Sequence, residues 1–130
     1  MNYVEPDHTY RIGRCNSCSN RPPHAWRAGT LKLTEARCLT CNRLLDATTR
    51  DCRAAFRLIE GQEAFDMLKR AASETYASLL DRMEEVNAWQ AEGDDFRAGL
   101  VQQYADDTRK RHADLAKRVR KMYEAGGVAA

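Results

Sequence analysis

Four of the five cysteines stand in two identical pairs, Cys15-Asn16-Ser17-Cys18 and Cys38-Leu39-Thr40-Cys41, with 19 residues between them. Three chemistries use paired thiols: a redox couple, a disulfide framework and a metal site. A redox couple of the thioredoxin kind expects strand–helix–strand surroundings, and none is visible here. An odd count of five argues against a disulfide framework. So does the beginning of the chain, MNYVEPDHTYRIGRC, which has no apolar run. No secretory signal is expected, and the thiols are expected to stay reduced. Metal ligation remains. A Cys-x-x-Cys turn lets two sulfurs converge on one ion, and two such turns complete a tetrahedron. The expected cofactor is one structural Zn²⁺ held by Cys15, Cys18, Cys38 and Cys41. Four protein ligands leave no open position for substrate, so the ion is not expected to be catalytic. His24 and Cys52 are reserve ligands. Their simpler readings are a packed or surface imidazole and a small buried hydrophobe.

Other residues invite a second chemistry. Arg11, Arg14, Arg21, Arg27, Lys32, Arg37 and Arg43 surround the cysteine pairs, with Tyr10 and Trp26 among them. Cationic side chains and a stacking ring on a small β-surface can hold a phosphate backbone or unpaired bases. The plainer reading packs Trp26 on a neighbouring helix and leaves the arginines solvated. Near the C-terminus, Arg109-Lys110-Arg111-His112 and Lys117-Arg118-Val119-Arg120-Lys121 form a second basic stretch. It suits nucleic acid, or a solvated face near the end of a helix, where positive charge is favourable. Glu92, Asp94 and Asp95 form an acidic point that a protein partner could read, although helix capping also explains Asp94. The sequence has no glycine-rich phosphate loop, nucleophile elbow or His–Asn–His nuclease set. A non-enzymatic protein with no small-molecule substrate is therefore expected.

The 130 residues suffice for one ordinary domain or two very small ones. The formal charge of +2 conceals a segregated distribution. Residues 1–53 hold nine Lys/Arg against five Asp/Glu, residues 54–108 five against twelve, and residues 109–130 seven against two. Four thiolates and one Zn²⁺ would together bring the net charge to about zero. No apolar run is long enough to span a bilayer, so a cytoplasmic protein is expected.

The elements that must hold these residues follow from periodicity. Thr9–Ile12, His24–Arg27 and Leu31–Thr34 read as strands, the last with alternating apolar and polar positions. Pro22-Pro23 excludes helix between the first cysteine pair and Trp26. These strands are too few to bury a core, so the metal would replace one. The expected boundary falls at residue 47, after a zinc ribbon with a short N-terminal arm. Residues 48–130 are expected to be helical: a helix over about 49–60, capped by Thr48, then long helices over about 62–91 and 95–125. The first long stripe runs Phe65, Leu68, Ala72, Tyr76, Leu79, Met83, Val86. It lies about 200° around from the Cys52–Ile59 stripe at about 100° per residue, so either Gly61 breaks the helix or its first turns pack on the zinc module while the rest pack elsewhere. The second long stripe runs Leu100, Tyr104, Thr108, Leu115, Val119, Met122. Equal lengths and a short turn at Ala91–Asp95 predict an antiparallel hairpin, which Gly126-Gly127 ends. The fold class is α+β, mostly α. Met67, Trp89, Val101 and Tyr104 are left over from a single seam, and this predicts a protein partner or a homodimer.

The cysteine pairs within residues 9–47 resemble the zinc ribbon (zinc β-ribbon) family. The resemblance implies a structural zinc module with four cysteine ligands; together with the segregated positive charge it leads to the expectation of an accessory protein that binds nucleic acid or a nucleic-acid-processing machine, with the hairpin as an oligomerisation or docking arm. Unlike the common knuckle, neither pair is followed by glycine; Asn20 and Asn42 can take the positive-φ role. A zinc module joined to a coiled-coil hairpin is also similar in its parts to the DksA/TraR-type regulators of RNA polymerase. In that family the zinc site follows the coiled coil, and the tip motif differs from Asp94-Asp95-Phe96-Arg97-Ala98. Three functions are therefore expected candidates: a nucleic-acid-associated accessory protein, a protein–protein adaptor, and a polymerase regulator acting through the tip. Small proteins of this kind occur in bacteria and their viruses.

Overall fold

The structure, a computed structural model, describes residues 9–13, 24–28, 37–41 and 57–130. The chain order is β1 (Thr9–Gly13), β2 (His24–Ala28), β3 (Arg37–Cys38), β4 (Arg57–Ile59), α1 (Gly61–Ala91) and α2 (Asp95–Ala125). The strands form one antiparallel sheet in the order β3-β2-β1-β4. The two helices form the antiparallel hairpin expected from their equal lengths. The strands expected at Thr9 and His24 are present and run one residue further each. The strand expected at Leu31–Thr34 lies outside the described residues, as does most of the helix expected over 49–60.

The last turn of that expected helix is instead strand. Arg57–Ile59 pairs with Ile12–Tyr10 of β1. Edge pairing buries Ile59 to 3% exposure, which a lone helical turn ahead of Gly61 could not do. The sheet therefore extends past residue 47, and β4 is its link to the hairpin. Gly61 makes that link possible. Its φ of 58° is a left-handed conformation that opens α1 directly behind the extended Glu60.

The hairpin turn is equally economical. Glu92 and Gly93 donate their amides to Ala88 and Gln90 carbonyls at 3.2 and 3.0 Å. Gly93 sits at a φ of 76°. Asp94 caps α2 as expected, its Oδ1 accepting from Arg97 N at 3.0 Å. Gly126 ends α2 at a φ of 83°.

Both helices keep an alternating three- and four-residue seam, the spacing of a coiled coil. On α1 it passes through Phe65, Leu68, Ala72, Thr75, Leu79, Val86 and Trp89. On α2 it passes through Ala98, Val101, Ala105, Thr108, His112, Leu115, Val119 and Met122. Two clusters result. One joins the open end of the hairpin to the sheet through Tyr10, Leu39, Ile59, Phe65, Leu68 and Leu115. The other, Val86, Ala98, Val101 and Trp89, closes the tip.

The seam differs from the expected stripes at four places. Tyr76, Met83, Leu100 and Tyr104 are 51, 43, 44 and 61% exposed. Thr75 and Val101 take the inward places instead, at 0 and 8%. Geometry outweighs hydrophobicity here. A small threonine whose hydroxyl donates back to Ala71 O (3.0 Å) keeps the helices close, whereas a tyrosine ring in the seam would force them apart. The apolar surplus is therefore redistributed. Val101 and Trp89 belong to the tip cluster and Met67 packs on the sheet cluster. Tyr104 lies under the Arg82 guanidinium, 5.6 Å from its ring centroid.

Candidate metal centre

The sheet register determines where the cysteine-bearing stretches meet. Gly13, the last residue of β1, pairs with His24, the first of β2. On the other side of β2, Cys38 pairs with Trp26 and Arg37 with Arg27, so β3 runs towards the His24 end. The chain leaving β1 ahead of Cys15 and the turn Leu39–Cys41 thus emerge at one end of the sheet, separated only by β2. Two strand spacings are about 10 Å. Cys15 and Cys18 themselves lie outside the described residues, so only half of the expected ligand set is placed. Among the described residues, no three His, Cys, Asp or Glu side chains converge.

The placed half is held firmly. Cys38 is 1% exposed and Cys41 half-buried. Between them Leu39, 7% exposed, plugs into the sheet–hairpin cluster. Thr40 Oγ1 donates to Glu74 Oε2 at 3.1 Å, and Glu74 Oε1 accepts from Arg70 Nε at 3.0 Å. The turn is therefore anchored to α1 by one apolar and one polar contact. On β1, Tyr10 accepts a hydrogen bond at its hydroxyl from the Arg118 guanidinium at 3.0 Å, while Arg118 Nε pairs with Asp114 at 2.9 Å. Arg118 is part of the scaffold: its side chain is only 11% exposed. Nothing in the sequence singles it out for this role, since a basic residue in a basic stretch gives no sign that it reaches a strand 108 residues earlier.

Cysteines in Cys-x-x-Cys spacing suit a closed tetrahedral site, and Cys38, buried at the end of β3, has Cys41 three residues later in the same turn. The register adds what spacing alone does not: β1, which ends at Gly13, and β3, which carries Cys38, both run to the same end of one sheet.

The basic candidates fall into distinct places. Trp26 and Arg27 lie on β2, and Arg37, exposed on the edge strand, pairs in register with Arg27. Arg14, Arg21, Lys32 and Arg43 lie outside the described residues, as does Cys52. On α2, Arg109 is exposed and paired with Asp106 at 3.0 Å, and Lys110 is exposed. Arg111 is half-buried; one of its terminal nitrogens donates to Thr108 Oγ1 at 3.2 Å, and its buried Nε has no hydrogen-bond partner among the described residues. The acidic point is at the tip, as expected. Asp94 is occupied there by the cap and by Arg97, 3.4 Å away, whose guanidinium also covers the Trp89 ring at 4.7 Å.

A polar layer crosses the middle of the hairpin, and the sequence stripes did not contain it. His112 Nδ1 lies 2.9 Å from Ala72 O and 3.2 Å from Thr75 Oγ1. A carbonyl oxygen only accepts, so Nδ1 carries the hydrogen and the Thr75 hydroxyl donates to helix carbonyls instead. The Tyr76 ring tilts over the imidazole at 5.4 Å. A histidine flanked by basic residues reads as surface. Only the seam's heptad count, applied from Val101 onward, would have turned it inward.

No protein-family model matches the chain, nor does any curated protein or solved structure.

Proposed function

We propose that the protein is a non-enzymatic zinc-ribbon accessory protein that binds nucleic acid or a nucleic-acid-processing machine. One Zn²⁺, held by Cys15, Cys18, Cys38 and Cys41, would supply no chemistry beyond tying two turns together. The observation that supports the reading is the register in which β1, ending two residues before Cys15, and β3, carrying Cys38, run to the same end of the sheet. Arg27 and Arg37 are neighbours in that sheet, and Arg109 and Lys110 lie exposed on the hairpin. Together they offer phosphate contacts to an extended polyanion.

Affinity for a fluorescent single-stranded oligonucleotide, followed by anisotropy across a salt series, tests the proposal. Each neutralised phosphate should steepen the slope of log K against log salt by about 0.7. Charge reversal at Arg109 and Lys110 should flatten that slope. Binding that ignores salt, or none at micromolar protein, would favour the adaptor reading, in which the same metal serves stability alone. A tip-acting polymerase regulator gains little support, because Asp94 is already engaged in capping α2 and pairing with Arg97.

A further inference from the structure

Three exposed apolar residues on α1, Tyr76, Leu80 and Met83, are 51, 47 and 43% exposed and follow one another at steps of four and three. At about 100° per residue they form one row about 60–120° to one side of the seam. Glu74, which meets Thr40 of the sheet, lies about 120° to the other side. Arg82, under which Tyr104 packs, is on the sheet's side as well. The row therefore occupies the flank of the hairpin that the described strands leave bare, and the facing flank of α2 adds Arg109, paired with Asp106, and the small residues Ala113 and Ala116.

Charge along the hairpin indicates what covers this flank. The contacts of Thr75 with His112, Arg82 with Tyr104 and Trp89 with Arg97 place Leu80 level with Asp107 of α2. The tip half, residues 81–107, carries eight acidic residues against Arg82 and Arg97, a balance of −6. The open-end half, residues 61–80 and 108–125, carries nine basic residues against five acidic, a balance of +4. A hairpin with opposite charge at its two ends and an apolar row near its middle is complementary to an inverted copy of itself.

We propose that a second copy of this chain docks on this flank, antiparallel to the first, about a two-fold axis passing close to Leu80. Leu80 then meets its own symmetry mate, and Met83 meets the region of Tyr76. Lys69 on α1 and Asp95 on α2 lie on opposite sides of the level of Leu80 at nearly equal distances, about 17 Å and about 18 Å along the axis at about 1.5 Å per residue. Each hairpin therefore brings Lys69 level with the other's acidic tip, where Asp95 lies on this flank. On α2, Arg120 and Asp95 are likewise nearly equidistant from the level of Leu80, and they pair in the same way. A parallel arrangement would set −6 against −6 and is disfavoured by repulsion. The two hairpins together form a four-helix bundle with an isologous interface, the commonest kind in homo-oligomers. The inference does not depend on the metal.

The test uses the full chain in analytical ultracentrifugation at micromolar concentration. A particle of twice the 14.8 kDa chain mass is expected. Its dissociation should increase as salt rises. Leu80→Arg and, separately, Met83→Glu should each weaken the dimer at least about 100-fold while helical circular dichroism is unchanged, because both sites are on the surface of the monomer. Orientation is read by zero-length carbodiimide cross-linking of mixed light and isotope-labelled chains. Cross-links between Lys69 of one copy and Asp95 of the other are expected. A monomer persisting at about 100 µM, a dimer insensitive to both substitutions, or inter-chain cross-links from Lys69 only to Glu63 or Asp66 would overturn the proposal.

Discussion

Individual side chains account for much of the tie between sheet and hairpin. Thr40 to Glu74, Arg118 to Tyr10 and the buried Leu39 connect segments far apart in sequence. Leu68, at 0% exposure, sits where sheet and both helices meet. Leu68→Ala should cost about 2–5 kcal/mol, measured by urea denaturation; a loss below about 1 kcal/mol would mean that the sheet does not pack there. Asp94→Ala removes a single cap and should cost about 1 kcal/mol, with the hairpin still formed. Gly61→Ala should cost about the same for a different reason. Space is open around the added methyl, but a φ of 58° is unfavourable for any side chain. Were Gly61→Ala neutral, the tight passage from β4 into α1 would be wrongly described.

Among the elements, the long helices were legible from sequence and the seam between them only in part. Asp95–Ala125 falls where the periodicity and the Asp94 cap place it, and Gly61–Ala91 begins one residue early. Phe65, Leu68, Leu79, Val86, Leu115 and Met122 were identified as buried because strongly apolar residues at helical spacing admit one facing direction. Thr75 and His112 were not. Their burial depends on hydrogen bonds to helix carbonyls that hydropathy does not register. Strand β4 was missed because its three residues match a helical stripe equally well, and pairing with the distant Tyr10–Ile12 outweighs that local pattern. That β1 and β3 run to one end of the sheet became visible only with the register. The polar layer makes its own prediction. Thr75→Val leaves His112 with the Ala72 carbonyl as partner and adds a methyl of similar volume, so stability should change by about 1 kcal/mol or less. His112→Ala should cost more, about 2 kcal/mol, because it opens a cavity beside Tyr76 as well. The reverse order in thermal melts would show that the imidazole faces solvent.

Taken together, the protein has two apolar centres of different dependence. The tip cluster of Val86, Ala98 and Val101 needs only the hairpin, whereas the sheet cluster needs short strands that cannot sustain themselves. A structural ion at the cysteine end would make the second centre conditional on metal and leave the first independent of it. Chelation should therefore speed amide exchange at Tyr10, Leu39 and Ile59 well before it affects Val86 and Val101. Uniform loss of protection along the chain would mean a single cooperative unit. The claim on which the functional proposal stands is one tetrathiolate zinc, and elemental analysis of the purified, untagged chain tests it most directly. One zinc per chain is expected, falling to well below one when Cys15 or Cys38 is replaced by serine. A chain that retains no stoichiometric metal, or one whose zinc survives both substitutions, would contradict it.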